Sequence, residues 1–407
     1  MTITAGARPQ HDQGEPATPD THDDAGLSAA ETPVSAVATR QPMRLPLPRG
    51  PVSAALFAVI GSPVGAPPIV SDLPEQIDRA VGASGDILVD GDLQLSLFVL
   101  YELHYGGIAG VDERWEWDPA LLACRASIEA GFEAALRERV DAPTLPSGRD
   151  AETIAQTLFT LTAEGDEPGL SHYVRTEATH DQVRELFIAR SIYTLKEADP
   201  HSWAIPRLSG RAKSALVEVQ SDEYGAGRVD RMHAVLYARA MRGAGLETQY
   251  GHYLDQVDGR ILTSVNTMSL FGLHRRLRGA IAGHLAAFEM TSSLPNQRIA
   301  AGLRRLGYGD DVVDYFDEHV EADAVHEQIA GRDLAGGLVE AEPELAADVL
   351  FGAAACLAVD GWASEHMLAA WQDGRSGLRP APRIHRATIS VPKRRIPSTR
   401  RAKGRGA

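Results

Sequence analysis

Residues 319–326 read HVEADAVH, which sets His319, Asp323 and His326 at positions i, i+4 and i+7. On a helix turning 100° per residue these stand at about 0°, 40° and −20°, so one narrow stripe carries two imidazoles and a carboxylate. Val320, Ala322 and Ala324 are small or apolar and let a neighbouring helix approach, while Glu318, Glu321 and Glu327 can face solvent. Imidazole and carboxylate on one face suit Fe(II), Mn(II) or Zn(II), and the pattern alone chooses none of them. Histidines that merely hydrogen-bond the aspartate would show the same spacing.

One helix supplies only one side of a coordination shell, so a metal site needs carboxylates from facing helices. Four occur within or beside apolar helical stretches: Glu197 in IYTLKEA, Glu218 in ALVEVQ, Glu223 in SDEYG and Glu289 in AAFEMT. Glu289 stands out because LAAFEM is apolar for several residues before it. A buried, unpaired carboxylate is costly and takes a proton, whereas a bound cation removes that cost. His233 follows Glu223 by ten residues, about −80° on an ideal helix, so Gly225 and Gly227 would have to re-phase the chain. Asp230–His233, Asp323–His326 and Glu177–His180 imitate the Glu-x-x-His pairs of ferritin-like sites, a spacing that chance produces often. Glu102 and His104 read as packing or pairing groups. Trp362, Glu365 and His366 are candidates for the lining of a substrate cavity.

The elements that must position these groups are helical. The chain has 407 residues, 44% of them hydrophobic, enough for one large core or two modest ones. Periodic stretches such as DGDLQLSLFVLYELHYGG, THDQVRELFIARSIYTLKEA, RAKSALVEVQSDEYG and TSVNTMSLFGLHRRLRGAIAGHLAAFEMTSS predict helices, with no β run, GxGxxG or P-loop. The fold class is all-α. The divisions are a disordered or extended segment over 1–71, a helical extension over 72–165, a helical bundle domain over 166–376 and a basic disordered tail over 377–407.

From Arg375 onward there are eleven basic residues and no acid, which leaves 29 basic and 55 acidic residues before it. That acidic body disfavours binding to nucleic acid phosphates. No run of 18 apolar residues suggests a membrane span, and Cys124 and Cys356 read as buried free thiols of a cytoplasmic protein. The apolar LSLFVLYELHY could pack on a second copy to form a homodimer.

From about Ser171 to Trp371 the sequence resembles the haem-oxygenase-like diiron oxidases and oxygenases, the iron-containing redox enzymes. The late-helix signature His-x-x-x-Asp-x-x-His is matched by HVEADAVH, and the upstream ligand positions fall in LKEADPHSW, DEYGAGRVDRMH and FEM. The resemblance implies a haem-oxygenase-like bundle whose metal and catalytic residues are Glu197, Glu223, His233, Glu289, His319, Asp323 and His326. It further implies that Glu223, His233 and Glu289 hold one iron and that His319, Asp323, His326 and Glu197 hold the other, with Glu289 able to bridge. Two Fe(II)/Fe(III) ions and O2 as co-substrate would then oxidise a small organic substrate by N-hydroxylation, desaturation or cleavage. Electrons would come from an external donor, since no flavin or NAD signature appears. The competing expectation is a non-catalytic helical protein that binds metal, a ligand or a partner on the same fold. Glu218 stays open as an alternative or supporting carboxylate.

Overall fold

The structure is a computed structural model, and it describes residues 41–65, 72–163 and 169–381, without the side chains of residues 321–324. The expected disordered start and basic tail fall largely outside these residues. Among the described residues sixteen α-helices follow in order: α1 Pro51–Ile60, α2 Leu73–Ala83, α3 Gly91–Glu102, α4 Pro119–Arg139, α5 Ala151–Leu161 and α6 Leu170–Thr176. Then come α7 His180–Thr194, α8 Asp199–Ser202, α9 Gly210–Glu223, α10 His233–Gly243 and α11 Gly259–Leu273. The last are α12 Arg278–Met290, α13 Ser293–Arg305, α14 Asp310–Gln328, α15 Gly337–Ala341 and α16 Ala346–Gln372. A π-helical stretch, Ile329–Gly336, joins α14 to α15. Among the described residues there is no sheet, only an isolated bridge between Met43 and Ile108.

Three local expectations are corrected. Residues up to 71 were expected to be extended, yet Pro51–Ile60 is helical. Pro51 suits a first helical turn, and the Asp92 carboxylate of α3 accepts hydrogen bonds from the Val52 and Ser53 amides, both at 2.9 Å. That cap comes from a residue 40 positions away, where local reading does not look. The single helix expected over 263–293 is two, broken at His274, whose backbone is extended. There His274 Nε2 lies 2.9 Å from Glu129 of α4, and Arg276 binds Glu133 of the same helix. Helix α3 is buried from Leu93 to Glu102, packed on α1, α4 and α11, so it has no apolar face left for a second copy.

The tightest crossing joins α12 to α16. A Cβ on Gly283 would lie 1.9 Å from the Val349 carbonyl oxygen, and one on Gly352 would lie 2.0 Å from that of Ala280. Only glycine permits this approach, which seats α12, and with it Glu289, deep in the core. The helix Pro343–Gln372 is long and apolar enough to cross a membrane, but 61% of its most apolar window is buried among the other helices. Helix α5, N-terminal to the expected division at 165/166, packs on the π-helical stretch and on α12.

Candidate metal centre

Five segments converge at the centre of the bundle. Glu197 lies in the turn after α7, Glu223 closes α9, His233 opens α10, Glu289 sits near the end of α12, and α14 brings His319 and His326. Gly225, with φ of 73°, sits where a Cβ would meet the Met232 amide nitrogen at 2.7 Å. This left-handed turn re-phases the chain between Glu223 and His233, which an unbroken helix would point apart.

Ligand atoms of Glu197, Glu223, His233 and His319 lie within 4.8 Å of one another, as do those of Glu223, Glu289 and His326. All six residues are buried. Glu223 belongs to both groups, which corrects the expected division. His233 joins His319 and Glu197, while Glu289 joins His326. The reason lies in the stripe itself: seven residues place His319 and His326 on one face but about 10 Å apart along the axis, so they reach different points. Asp323 lies on α14 between them, with its side chain outside the described residues.

Oε2 of Glu223, Nδ1 of His233 and Nδ1 of His326 are buried without a hydrogen-bond partner among the described residues. Nδ1 of His233 comes within 2.9 Å of Glu223 Oε2, and Nδ1 of His326 within 3.4 Å of Glu289 Oε2, but neither pair is aligned as a hydrogen bond. Donor atoms that crowd together without pairing suit a shared cation. The outward-facing nitrogens are committed elsewhere. His319 Nδ1 donates to the Tyr315 carbonyl at 2.7 Å and His326 Nε2 to Asp222 at 3.0 Å, which leaves the lone pair of each other nitrogen for the centre. The Tyr315 hydroxyl donates to Glu197 Oε2 at 2.9 Å.

Protonation tells the same story. Burial, then the neighbouring Glu223, pushes the Glu197 carboxyl up to about 8, and burial also raises Glu289. Burial works on Glu223 too, but His233, His319 and His326 outweigh it and hold the carboxyl at about 2. Glu223 in turn lifts His233 to about 9 against the effect of burial, and His319 falls to about 3 through burial and the nearby His233. Without a cation the crowded groups thus favour protons on Glu197, Glu289 and His233, and bound metal would displace them. Divalent cations satisfy all the carboxylates, and the nitrogen and oxygen donors suit iron, manganese or zinc. Both cysteines are buried and free, and neither belongs to the centre.

Other candidates lie elsewhere. Glu218, Asp230, Glu177 and His180 are exposed. Glu102 binds Lys196 and the Tyr250 hydroxyl, and His104 Nε2 lies 2.6 Å from Arg125. Trp362, Glu365 and His366 line a separate cavity with Arg139 and Arg260. The cavity that reaches the centre measures about 390 Å³ and is lined by Glu197, Tyr315 and His319 at one side and by apolar walls including Val265, Met268 and Phe288. A second, water-sized space of about 10 Å³ touches Glu197, Glu223, Glu289, His319 and His201. Sequence reasoning missed Asp222, although it adjoins Glu223, and gave no role to His201, which pairs with His284 at 3.2 Å in the buried interior.

Residues 184–361 match the family described as iron-containing redox enzyme. With the clustered histidines and carboxylates, this places the matched part of the chain in that family, on the haem-oxygenase-like fold. A nitrosourea synthase from Streptomyces achromogenes subsp. streptozoticus is 32% identical over 148 residues, which are 36% of this chain and 31% of that relative. The match therefore spans about a third of each protein.

Proposed function

We propose that this protein is an O2-dependent non-haem diiron oxidoreductase acting on a small organic substrate, with residues 166–376 as the catalytic domain and 72–165 as a bracing extension. Glu197, Glu223, His233 and His319 would hold one iron, and Glu223, Glu289 and His326, joined by Asp323, the other. The observation that carries this reading is the pair of buried donor groups sharing Glu223 at the edge of a mainly apolar cavity. Bound Fe(II) would supply electrons for the reduction of O2, and an external donor would restore them.

The chain's own part is positioning and exclusion. Tyr315 orients Glu197 and, through its carbonyl, His319, while Asp222 orients His326. Val265, Met268 and Phe288 keep water from the reacting end of the cavity. A nitrosourea contains a nitrogen–oxygen bond, so the relative's name favours N-oxygenation over desaturation or cleavage. Anaerobic Fe(II) titration tests the reading, with two irons per chain expected, followed by stopped-flow mixing with O2 in the presence of amine and fatty-acid substrates. Two bound irons without O2 consumption would instead support a non-catalytic metal-binding protein.

A further inference from the structure

We propose that His201, steered by His284, is a positioning residue of the centre: its Nδ1–H holds one water-sized ligand in the 10 Å³ space beside Glu197, Glu223, Glu289 and His319. The metal that this ligand would share is that of the reading above, on which the inference rests.

Two glycines seat the histidines. A Cβ on Gly272 of α11 would lie 2.5 Å from the Pro200 carbonyl oxygen of α8, and Gly283 is where α12 meets α16. His201 follows Pro200 and His284 follows Gly283, and the two side chains meet in the interior, 1% and 0% exposed. Nε2 of His201 lies 3.2 Å from Nδ1 of His284. The remaining nitrogens, Nδ1 of His201 and Nε2 of His284, are buried without a hydrogen-bond partner among the described residues. Buried polar atoms are nearly always paired, with protein or with an ordered water. His201 lines the 10 Å³ space, and with Nε2 engaged by His284 only Nδ1 is left to serve it. Glu223, whose Oε2 also lacks a hydrogen-bond partner among the described residues, lines the same space.

The position of one proton decides what His201 offers. Burial keeps both rings neutral, pushing His201 down to about 4 and His284 well below the usual histidine value. A single proton therefore lies between the rings. On His201 Nε2 it would leave His284 with an Nε2–H and no acceptor, beside the rings of Phe271 and Phe288. On His284 Nδ1 it leaves a bare Nε2 there and an N–H at His201 Nδ1. The negative charge of Glu223 acts on His201. That charge favours an N–H over a lone pair on the atom that serves a space walled by carboxylates. His284 thus sets the tautomer of His201, as outer partners do for ligating histidines.

Tyr193 and Phe288 line both this space and the 390 Å³ cavity, so the two adjoin. A space with room for about one water admits a water or a single-atom anion and shuts out an organic substrate. The small ligand accepts from His201, keeps lone pairs for the centre, and lies beside the substrate rather than in its place.

The test uses the full-length protein in two ways. Heteronuclear NMR of isotope-labelled histidines, in metal-free and Zn(II)-loaded protein, reads the tautomer, with His201→Phe assigning the signals. His201 is expected to be neutral with its proton on Nδ1, in cross-relaxation contact with a bound water. Sodium fluoride is then titrated into iron-loaded, air-oxidised protein and followed by near-ultraviolet absorbance. His201→Phe should weaken fluoride by about tenfold or more with iron content unchanged, and His284→Phe should weaken it to a lesser degree. His201→Gln, which keeps an N–H donor, should lose less than His201→Phe. A proton on Nε2 of His201, or no water contact in either state, overturns the proposal. So does fluoride affinity that ignores His201→Phe in protein carrying two irons, which leaves the metal reading standing. Protein that takes up no metal but shows the Nδ1 proton with its water contact would keep this inference and sink the metal reading.

Discussion

Lys196 and Glu102 form an ion pair that is almost wholly enclosed, their side chains 1% and 0% exposed. The Tyr250 hydroxyl donates to the same Glu102 oxygen at 2.7 Å, and the Lys196 ammonium lies 4.2 Å from the centroid of the Tyr105 ring. Glu102 closes α3 in the extension, and Lys196 adjoins Glu197, so this contact ties the extension to the turn that carries a candidate ligand. Replacing Glu102 by Leu removes the carboxylate that faces the enclosed Lys196 ammonium and should cost about 3–5 kcal/mol. Lys196→Met should cost a similar amount by removing the cation that faces the buried Glu102 carboxylate. Against a folding free energy of about 5–15 kcal/mol, either loss is large. The double variant removes both members of the pair, and the Tyr250 hydroxyl, which loses Glu102, still reaches the Ile192 carbonyl at 3.2 Å, so that loss costs about 1 kcal/mol. It should therefore unfold within roughly 2 kcal/mol of wild type, since neutral replacement of a buried pair is itself nearly cost-free. Urea unfolding followed by circular dichroism measures all four corners of the cycle, and iron titration of each variant reports whether Glu197 keeps its place. Single variants that each lose less than about 1 kcal/mol, or a double variant that loses their sum, would refute the argument.

Three other expectations concern the centre and its frame. Glu223→Ala should abolish binding of both irons, whereas His233→Ala and Glu289→Ala should each leave one, as counted by metal analysis of anaerobically loaded protein; equal losses would remove Glu223 from its shared position. Asp222→Asn should lower iron affinity about 10- to 100-fold with little change in unfolding midpoint, because it touches the cluster only through the outer nitrogen of His326. Gly283→Ala should lower stability by about 1–3 kcal/mol or more in a thermal melt, since its methyl meets the Val349 carbonyl oxygen with no flexible group to yield.

The helical architecture was legible because it depends on local periodicity. Helices α7, α9, α10 and α14 begin and end within a few residues of where their capping residues, glycines and apolar spacing put them. The stripe of His319 and His326 was legible for the same reason, as was the need for a break between Glu223 and His233. The errors share one origin. The first turn of α1 is capped by Asp92, the break at His274 is held by Glu129 and Glu133, and α3 is covered on all sides by other helices. Each depends on a partner far away in the chain.

The sequence by itself determined which residue types were present and which helix face each occupied, because helix geometry converts spacing into direction. Only the tertiary structure decided which faces met. It decided that Glu223 serves both donor groups, that Asp222 rather than Glu218 supports His326, and that His201 shares one small space with three carboxylates. Spacing specifies an angle about one helix axis, whereas a metal centre or a pocket is set by distances between helices, and those follow from close packing such as that of Gly283 against α16.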